Sequence, residues 1–235
     1  MSELADAFVT ALKLIFTGNP DVMAVAARTL GISGSATFFA AMLSIPIACL
    51  IHFNHFKGKG TLISILQTFY AIPTVLVGLL VFIIFSRAGP LGGLGILFTP
   101  QVMVIGQVVL ISPLMTGLTV SALSGVRPEI RDTAVSLGAG RFQMARTVLV
   151  EAKYATLTAV LIGFGRAISE VGLAIMVGGN IRGFTRTLTT AMSLETSMGN
   201  IELSMALGII LLSLALIVII IPSWIQQRSS RVRQR

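Results

Sequence analysis

Five stretches of this chain, residues 30–53, 62–85, 102–126, 154–177 and 203–224, are long and almost uniformly apolar. A hydrocarbon layer about 30 Å deep takes about 20 apolar residues of helix at about 1.5 Å each. Lipid offers no partner to a backbone N–H or C=O, so such stretches must satisfy themselves as helices. Composition agrees. Of 235 residues, 54% are apolar and 11% charged, where a soluble domain carries about a quarter charged residues. The predicted fold class is an all-α integral membrane protein, one transmembrane domain over residues 1–235 with five transmembrane helices. Ahead of them, Leu4, Phe8, Ala11, Leu12 and Ile15 form one apolar stripe, which predicts a short interfacial helix over residues 3–17. Asn19-Pro20-Asp21 then restarts the chain, with Asn19 as N-cap and Pro20 at the first helical position.

The longest polar island lies over residues 127–153 and holds five of the seventeen Lys and Arg residues. Ala134, Leu137, Phe142, Ala145, Val148 and Leu149 recur in it at roughly helical spacing, interrupted by Gly138-Ala139-Gly140. That pattern reads as a helix, a glycine turn and a second helix, an element shaped to meet a partner. With five spans, alternate loops share a side. Lys57, Lys59, the five basic residues of 127–153 and the tail Arg228, Arg231, Arg233 and Arg235 fall on one side, eleven in all. Five fall on the other: Lys13, Arg28, Arg87, Arg182 and Arg186. Basic loops stay in the cytoplasm, so the N-terminus is expected outside and the C-terminus inside. The N-terminal stretch, with acidic Glu3 and Asp6 and no basic region, does not resemble a cleaved signal peptide.

Most of the net charge of +8 sits in loops and at the C-terminus, with no basic stripe interleaved with aromatics. No nucleic-acid partner is expected. Cys49 is alone in an apolar span, so disulfides play no part. No cluster of His, Cys, Asp or Glu has metal-ligand spacing, and no nucleophile and base lie at one depth; no cofactor, metal site or catalytic residue is expected. His52 and His55 read as interfacial polar residues. Gly58-Lys59-Gly60-Thr61 lacks the upstream glycine and strand of a phosphate loop, and Gly92-Gly93-Leu94-Gly95 is turn material. Pro46, Pro73 and Pro113 each fall within a span. Arg166 and Glu170 stand out, because both fall mid-span, where a charge costs about 2.5–3.5 kcal/mol and normally pairs or lines a polar cavity. At i,i+4 on one helix they can pair with each other. Two readings fit: a neutralised pair that fixes helix packing, or a face with Ser169 that borders a solute pathway. Gly163 and Gly165 beside them permit close helix approach.

The central loop resembles the EAA loop of permease subunits in bacterial ATP-binding-cassette importers. Asp132 takes the acidic position, Thr133 and Ala134 the two small ones, Gly138 the glycine and Phe142 the aromatic. Leu149 or Val150 takes the closing leucine, and Glu151 stands near where the family has proline. Three further stretches are similar to the molybdate and sulfate permease group: Ser112-Pro113-Leu114-Met115, Leu137-Gly138-Ala139-Gly140-Arg141, and Gly165 through Gly172. Within that group, residues 176–191 resemble tungstate-type permeases most.

The resemblance implies a type I importer permease fold and a transport role without catalysis. Asp132, Thr133, Ala134, Leu137, Gly138, Ala139, Gly140, Arg141 and Phe142 would form the coupling segment, seated on an ATPase subunit that supplies the ATP chemistry, this chain having no Walker motif. The implied assembly holds two copies of the permease and two ATPase subunits in the lipid bilayer of a prokaryotic plasma (inner) membrane. An extracytoplasmic binding protein would deliver a tetrahedral oxyanion, tungstate before molybdate, for translocation by alternating access. Arg182 and Arg186 either attract that anion or meet acidic patches on the delivery protein. Competing functions are a permease for sulfate, another anion or an amino acid, and a non-transporting membrane scaffold with a docking loop.

Overall fold

The computed structural model describes residues 6, 8–10, 12–13 and 17–233, with side chains to residue 220. Ten α-helices follow Gly18: α1 Pro20–Phe53, α2 Lys59–Thr68, α3 Thr74–Phe85, α4 Pro100–Ser124, α5 Pro128–Ser136, α6 Arg141–Glu151, α7 Lys153–Ile168, α8 Gly172–Gly178, α9 Leu188–Ser197 and α10 Ile201–Arg233. No strand occurs among the described residues. Of the interfacial helix expected over 3–17, residues 6, 8–10, 12 and 13 are helical; the remainder up to residue 16 lies outside the described residues. The side chains of the basic tail also lie outside them.

The start of α1 is as its sequence dictates. The Asn19 Oδ1 accepts from the backbone N–H of Asp21 at 3.1 Å and of Val22 at 3.3 Å, filling two of the donors a helix N-terminus leaves open. Because that cap precedes Pro20, α1 begins ten residues ahead of the expected span. Pro46 and Pro113 stay inside unbroken helices.

Pro73 does not. The expected second span divides there: a 3₁₀ turn over Phe69–Ala71 ends α2, Ile72 and Pro73 are extended with ψ of 132° and 123°, and α3 follows. Proline disfavours the helical region for the residue before it and offers no N–H. The expected fourth span divides as well, at Ser169–Val171 between α7 and α8. Three helices among the described residues are long and apolar enough to cross a membrane alone: Pro20–Phe53, Pro100–Ser124 and Ile201–Ile220. The number reaches five when Lys59–Ala71 is joined to Thr74–Phe85 and Arg141–Glu151 to Lys153–Ile168 across their bends, the second pair at 69°. Among the described residues, then, three helices are long and apolar enough to span alone, and the expected five are reached only if each bent pair serves as one span.

Packing divides the chain into two compact units. The first comprises Met1–Ala36, Pro73–Gln107 and Gly165–Arg235. In it α3 lies against α8 so closely that a Cβ on Gly78 would stand 3.0 Å from the Leu173 Cα, the small-residue approach that lets membrane helices pack without a hydrophobic driving force. Its apolar core joins Ala26 of α1 to Leu188 and Ala191 of α9 and to Ala206, Leu207 and Ile210 of α10. The second unit comprises Thr37–Ile72 and Val108–Phe164. There Ala48, Ile51 and Val120 pack with Leu62, Ile63 and Leu66 of α2. Gly117 leaves room for the Tyr70 hydroxyl, which a Cβ would meet.

Candidate functional site

The helix–turn–helix expected over 127–153 is present as α5 and α6. Its turn is closed by its own backbone. Gly138 has φ +80°, its N–H donates to the Val135 carbonyl at 2.9 Å, and the Ala139 N–H donates to the Ala134 carbonyl at 3.0 Å. This is the Schellman arrangement, which satisfies the last carbonyls of a helix and calls for glycine at the left-handed residue. The next helix starts from Gly140, whose N–H donates to the Gln143 Oε1 at 3.0 Å.

This closure sorts the apolar residues into two faces. Met144, Val148 and Ala152 are buried with Leu123, and Ala134, Ala139 and Leu149 pack against them. Leu137 and Phe142 point the other way and are 83% and 82% exposed. Asp132, Thr133, Gly138, Gly140 and Arg141 are also exposed, and Ala134 and Ala139 half-buried. The sequence pattern put Leu137 before the glycine turn and Phe142, Val148 and Leu149 after it, without sorting them by face. Around the turn they separate into an anchoring set and a presented set, and Met144, which the pattern missed, belongs to the anchor.

Arg166 and Glu170 do not form the expected ion pair. Helix α7 ends at Ile168, so the i,i+4 relation on one helix is lost. Glu170 is 3% exposed. Its Oε1 accepts from the Leu173 N–H at 2.9 Å, and its carbonyl accepts from the Thr189 hydroxyl at 2.8 Å. The carboxylate therefore closes the start of α8, where open N–H groups favour negative charge. Arg166 is half-buried and Ser169 exposed, the serine hydroxyl turning back to the Gly165 carbonyl at 2.9 Å. Above α8 a buried polar layer holds Thr185, Thr187, Thr189 and Thr190. The Thr185 hydroxyl donates to the Gly178 carbonyl at 2.5 Å, and the Leu188 N–H donates to the Thr29 hydroxyl at 2.9 Å. Gln107 donates through Nε2 to the Ala167 carbonyl at 3.3 Å, while its buried Oε1 has no partner among the described residues.

Arg182 and Arg186 lie on one loop and have different partners. Arg182 makes an exposed ion pair with Asp21, Nη2 to Oδ2 at 2.5 Å. Arg186 is half-buried and donates through Nε to the Asn180 side-chain oxygen at 3.2 Å. Arg28, which sequence reasoning treated only as a loop charge, fastens this loop to α1. Its Nη1 donates to the Arg186 carbonyl at 3.1 Å and its Nη2 to the Gly183 carbonyl at 2.9 Å. Helix α9 was also missed. Its only local sign is Thr187, which caps it by accepting from the Thr190 N–H at 3.4 Å. Among the described residues, no group of His, Cys, Asp and Glu is placed to hold a metal ion.

Helices long and apolar enough to cross a membrane define a membrane-embedded chain. Residues 40–231 match the family of binding-protein-dependent transport system inner membrane components, and the chain belongs to that family. It is a permease subunit of an ATP-binding-cassette system and not an enzyme, the ATPase being a separate subunit. It is 41% identical over 194 residues to a probable anion ABC transporter permease protein of Haloferax volcanii, covering 80% of this chain and 84% of that one. It is 37% identical over 210 residues to a tungstate uptake system permease protein of Peptoclostridium acidaminophilum, covering 89% and 92%. Its fold is shared with a chain of a bacterial alginate ABC transporter, solved in complex with an alginate pentasaccharide-bound periplasmic protein. That match has a TM-score of 0.75 at 20% identity, over 97% of this chain and 87% of that one.

Proposed function

We propose that the chain is the membrane-spanning subunit of an ATP-driven, binding-protein-dependent importer that carries a tetrahedral oxyanion, tungstate in preference to molybdate. Two copies of it, two ATPase subunits and an extracytoplasmic binding protein make up the working assembly. The N-terminus faces outward and the C-terminus the cytoplasm, in keeping with the distribution of basic residues. Leu137 and Phe142, with Asp132, Thr133 and Arg141 around them, seat in a groove of the ATPase, and the movement of that lever switches the spans between outward- and inward-facing states. Arg166 and Ser169 border the solute path, with Glu170 as a buried polar group at the same break.

One observation carries the coupling role. Two large apolar side chains, each more than 80% exposed, flank a turn whose backbone is already satisfied. Such exposure at the tip of a polar loop is a feature of surfaces that meet a partner. The tungstate uptake relative, whose match spans nearly the whole of both chains, supports the substrate. The test is uptake of labelled tungstate and labelled molybdate into vesicles holding the full complex, with and without the binding protein. Uptake of tungstate that requires both ATP and the binding protein is expected, and is reduced little by excess sulfate. Uptake of neither oxyanion, or uptake indifferent to the binding protein, sinks the reading.

A further inference from the structure

The first compact unit contains a cavity of about 410 Å³ lined by Asp21, Arg28, Arg182, Arg186, Glu195 and Leu207, among others. Three guanidinium groups thus face two carboxylates. Asp21 is already held by Arg182, and Glu195 accepts from the Asn200 side chain at 2.8 Å. Arg28 and Arg186 have no carboxylate partner among the described residues. Each uses part of its five-donor fork on neutral oxygens: two backbone carbonyls for Arg28, and the side chain and carbonyl of Asn180 for Arg186. Both are half-buried, so water screens their charge less than at an open surface. They are also coupled, because Arg28 donates to the carbonyl of Arg186 itself. The 34-residue helix α1 begins at the cavity wall and adds the positive end of its dipole.

Half-buried, rigidly held arginines with free donors, outnumbering the carboxylates of their cavity three to two, are a cationic site awaiting an anion. Guanidinium forks suit a planar or tetrahedral oxyanion bidentately, and their loss of freedom is already met by the loop carbonyls. We infer that this cavity is an oxyanion-binding site of the permease itself, in which Arg28 and Arg186 hold a tetrahedral dianion before it enters the spans. The inference rests on the oxyanion reading above and adds a site to it. Arg28 acts both as ligand and as the clasp that sets Arg186 in place; Arg182, committed to Asp21, contributes less.

The test uses the purified permease–ATPase complex without the binding protein. Binding of labelled tungstate is measured directly by equilibrium dialysis, with molybdate and sulfate as competitors and at two salt concentrations. The complex is expected to bind tungstate, molybdate to compete, and added salt to weaken the affinity. Arg186→Gln is expected to weaken binding at least tenfold, and Arg186→Lys, which keeps the charge but not the two-pronged fork, to weaken it less; Arg28→Lys should weaken it to a similar extent. Absence of tungstate binding by the unaltered complex overturns the inference, as does an Arg186→Gln complex that binds like the unaltered one. An Arg186→Gln complex that keeps tungstate affinity but loses capture of the binding protein also overturns it, since the cavity would then serve a protein surface. Vesicle uptake separates the two readings. Binding-protein-dependent tungstate uptake without direct binding removes this site alone, whereas its absence removes the transported ion as well.

Discussion

Glu170 shows how a single buried group can take a role that its neighbours in sequence do not suggest. Mid-span charges four residues apart on a helix invite pairing, and the nearest cation is Arg166. The carboxylate instead accepts from the Leu173 N–H, and the backbone around it is broken. Removing that acceptor should leave a buried donor open at a cost of about 1–3 kcal/mol. Glu170→Ala is therefore expected to lower the thermal midpoint of the detergent-solubilised protein clearly, and Glu170→Gln, which keeps an oxygen acceptor, by less than half as much. Arg166→Ala should be milder than Glu170→Ala, and the double change should be no more stable than Glu170→Ala alone, because no ion pair links the two. A double variant more stable than Glu170→Ala alone would restore the ion pair. Nothing local announces the break, since Gly165 to Gly172 reads as an unremarkable small-residue helix. The contact just past it is distant in sequence: Gly172 lies against Thr74 and Val75, where a Cβ would come within 2.8 Å of the Val75 Cγ2. Arg28 was illegible for the same reason, its acceptors being carbonyls more than 150 residues away.

At the scale of elements, α5 and α6 were legible because their turn is governed by local chemistry. Gly138 at a left-handed φ, with two short backbone bonds behind it, needs nothing from the rest of the chain. What the periodicity could not supply was the division of apolar residues into buried and presented sets, since spacing marks the apolar positions on two helices but not which of them the rest of the unit covers. Two outcomes follow from that division. Phe142→Ala and Leu137→Ala should change stability by no more than about 0.5 kcal/mol, as substitutions at exposed positions do, yet abolish copurification of the ATPase. Equal loss of stability and of copurification would mark these side chains as packing residues. Gly138→Leu forces a branched side chain into the left-handed region, at about 1–2 kcal/mol. It should leave the protein inserted and abolish coupled transport; normal transport by the inserted variant would remove the lever role.

For the molecule as a whole, the five apolar windows predicted the class correctly and the continuity of the helices only in part. Windows of hydropathy measure greasiness, and neither Pro73 nor the capping carboxylate of Glu170 changes greasiness much. The orientation is open to direct measurement with single cysteines in a Cys49→Ser background and an impermeant maleimide. Thr187 is buried, so Phe184, at 47% exposure, is the better probe of its loop, alongside exposed Gly93. Both should react from outside the cell, and Lys57 and Arg141, also exposed, should react only after permeabilisation. Labelling of Arg141 in intact cells would invert the topology and remove the docking surface from the cytoplasm with it.

The self-closed turn at Gly138 also bears on how such an assembly comes together. A turn whose backbone bonds are complete in the isolated chain is finished before any partner exists, so docking through it, as proposed above, would require no ordering of the loop. The heat-capacity change of association should then match the area of Leu137, Phe142 and their surroundings that leaves water, with no added contribution from coupled folding. The rate should be set by collision and orientation, typically about 10⁵–10⁷ per molar per second. In a cell, a membrane subunit of this kind can wait in the bilayer, ready-made, for whichever ATPase reaches it first.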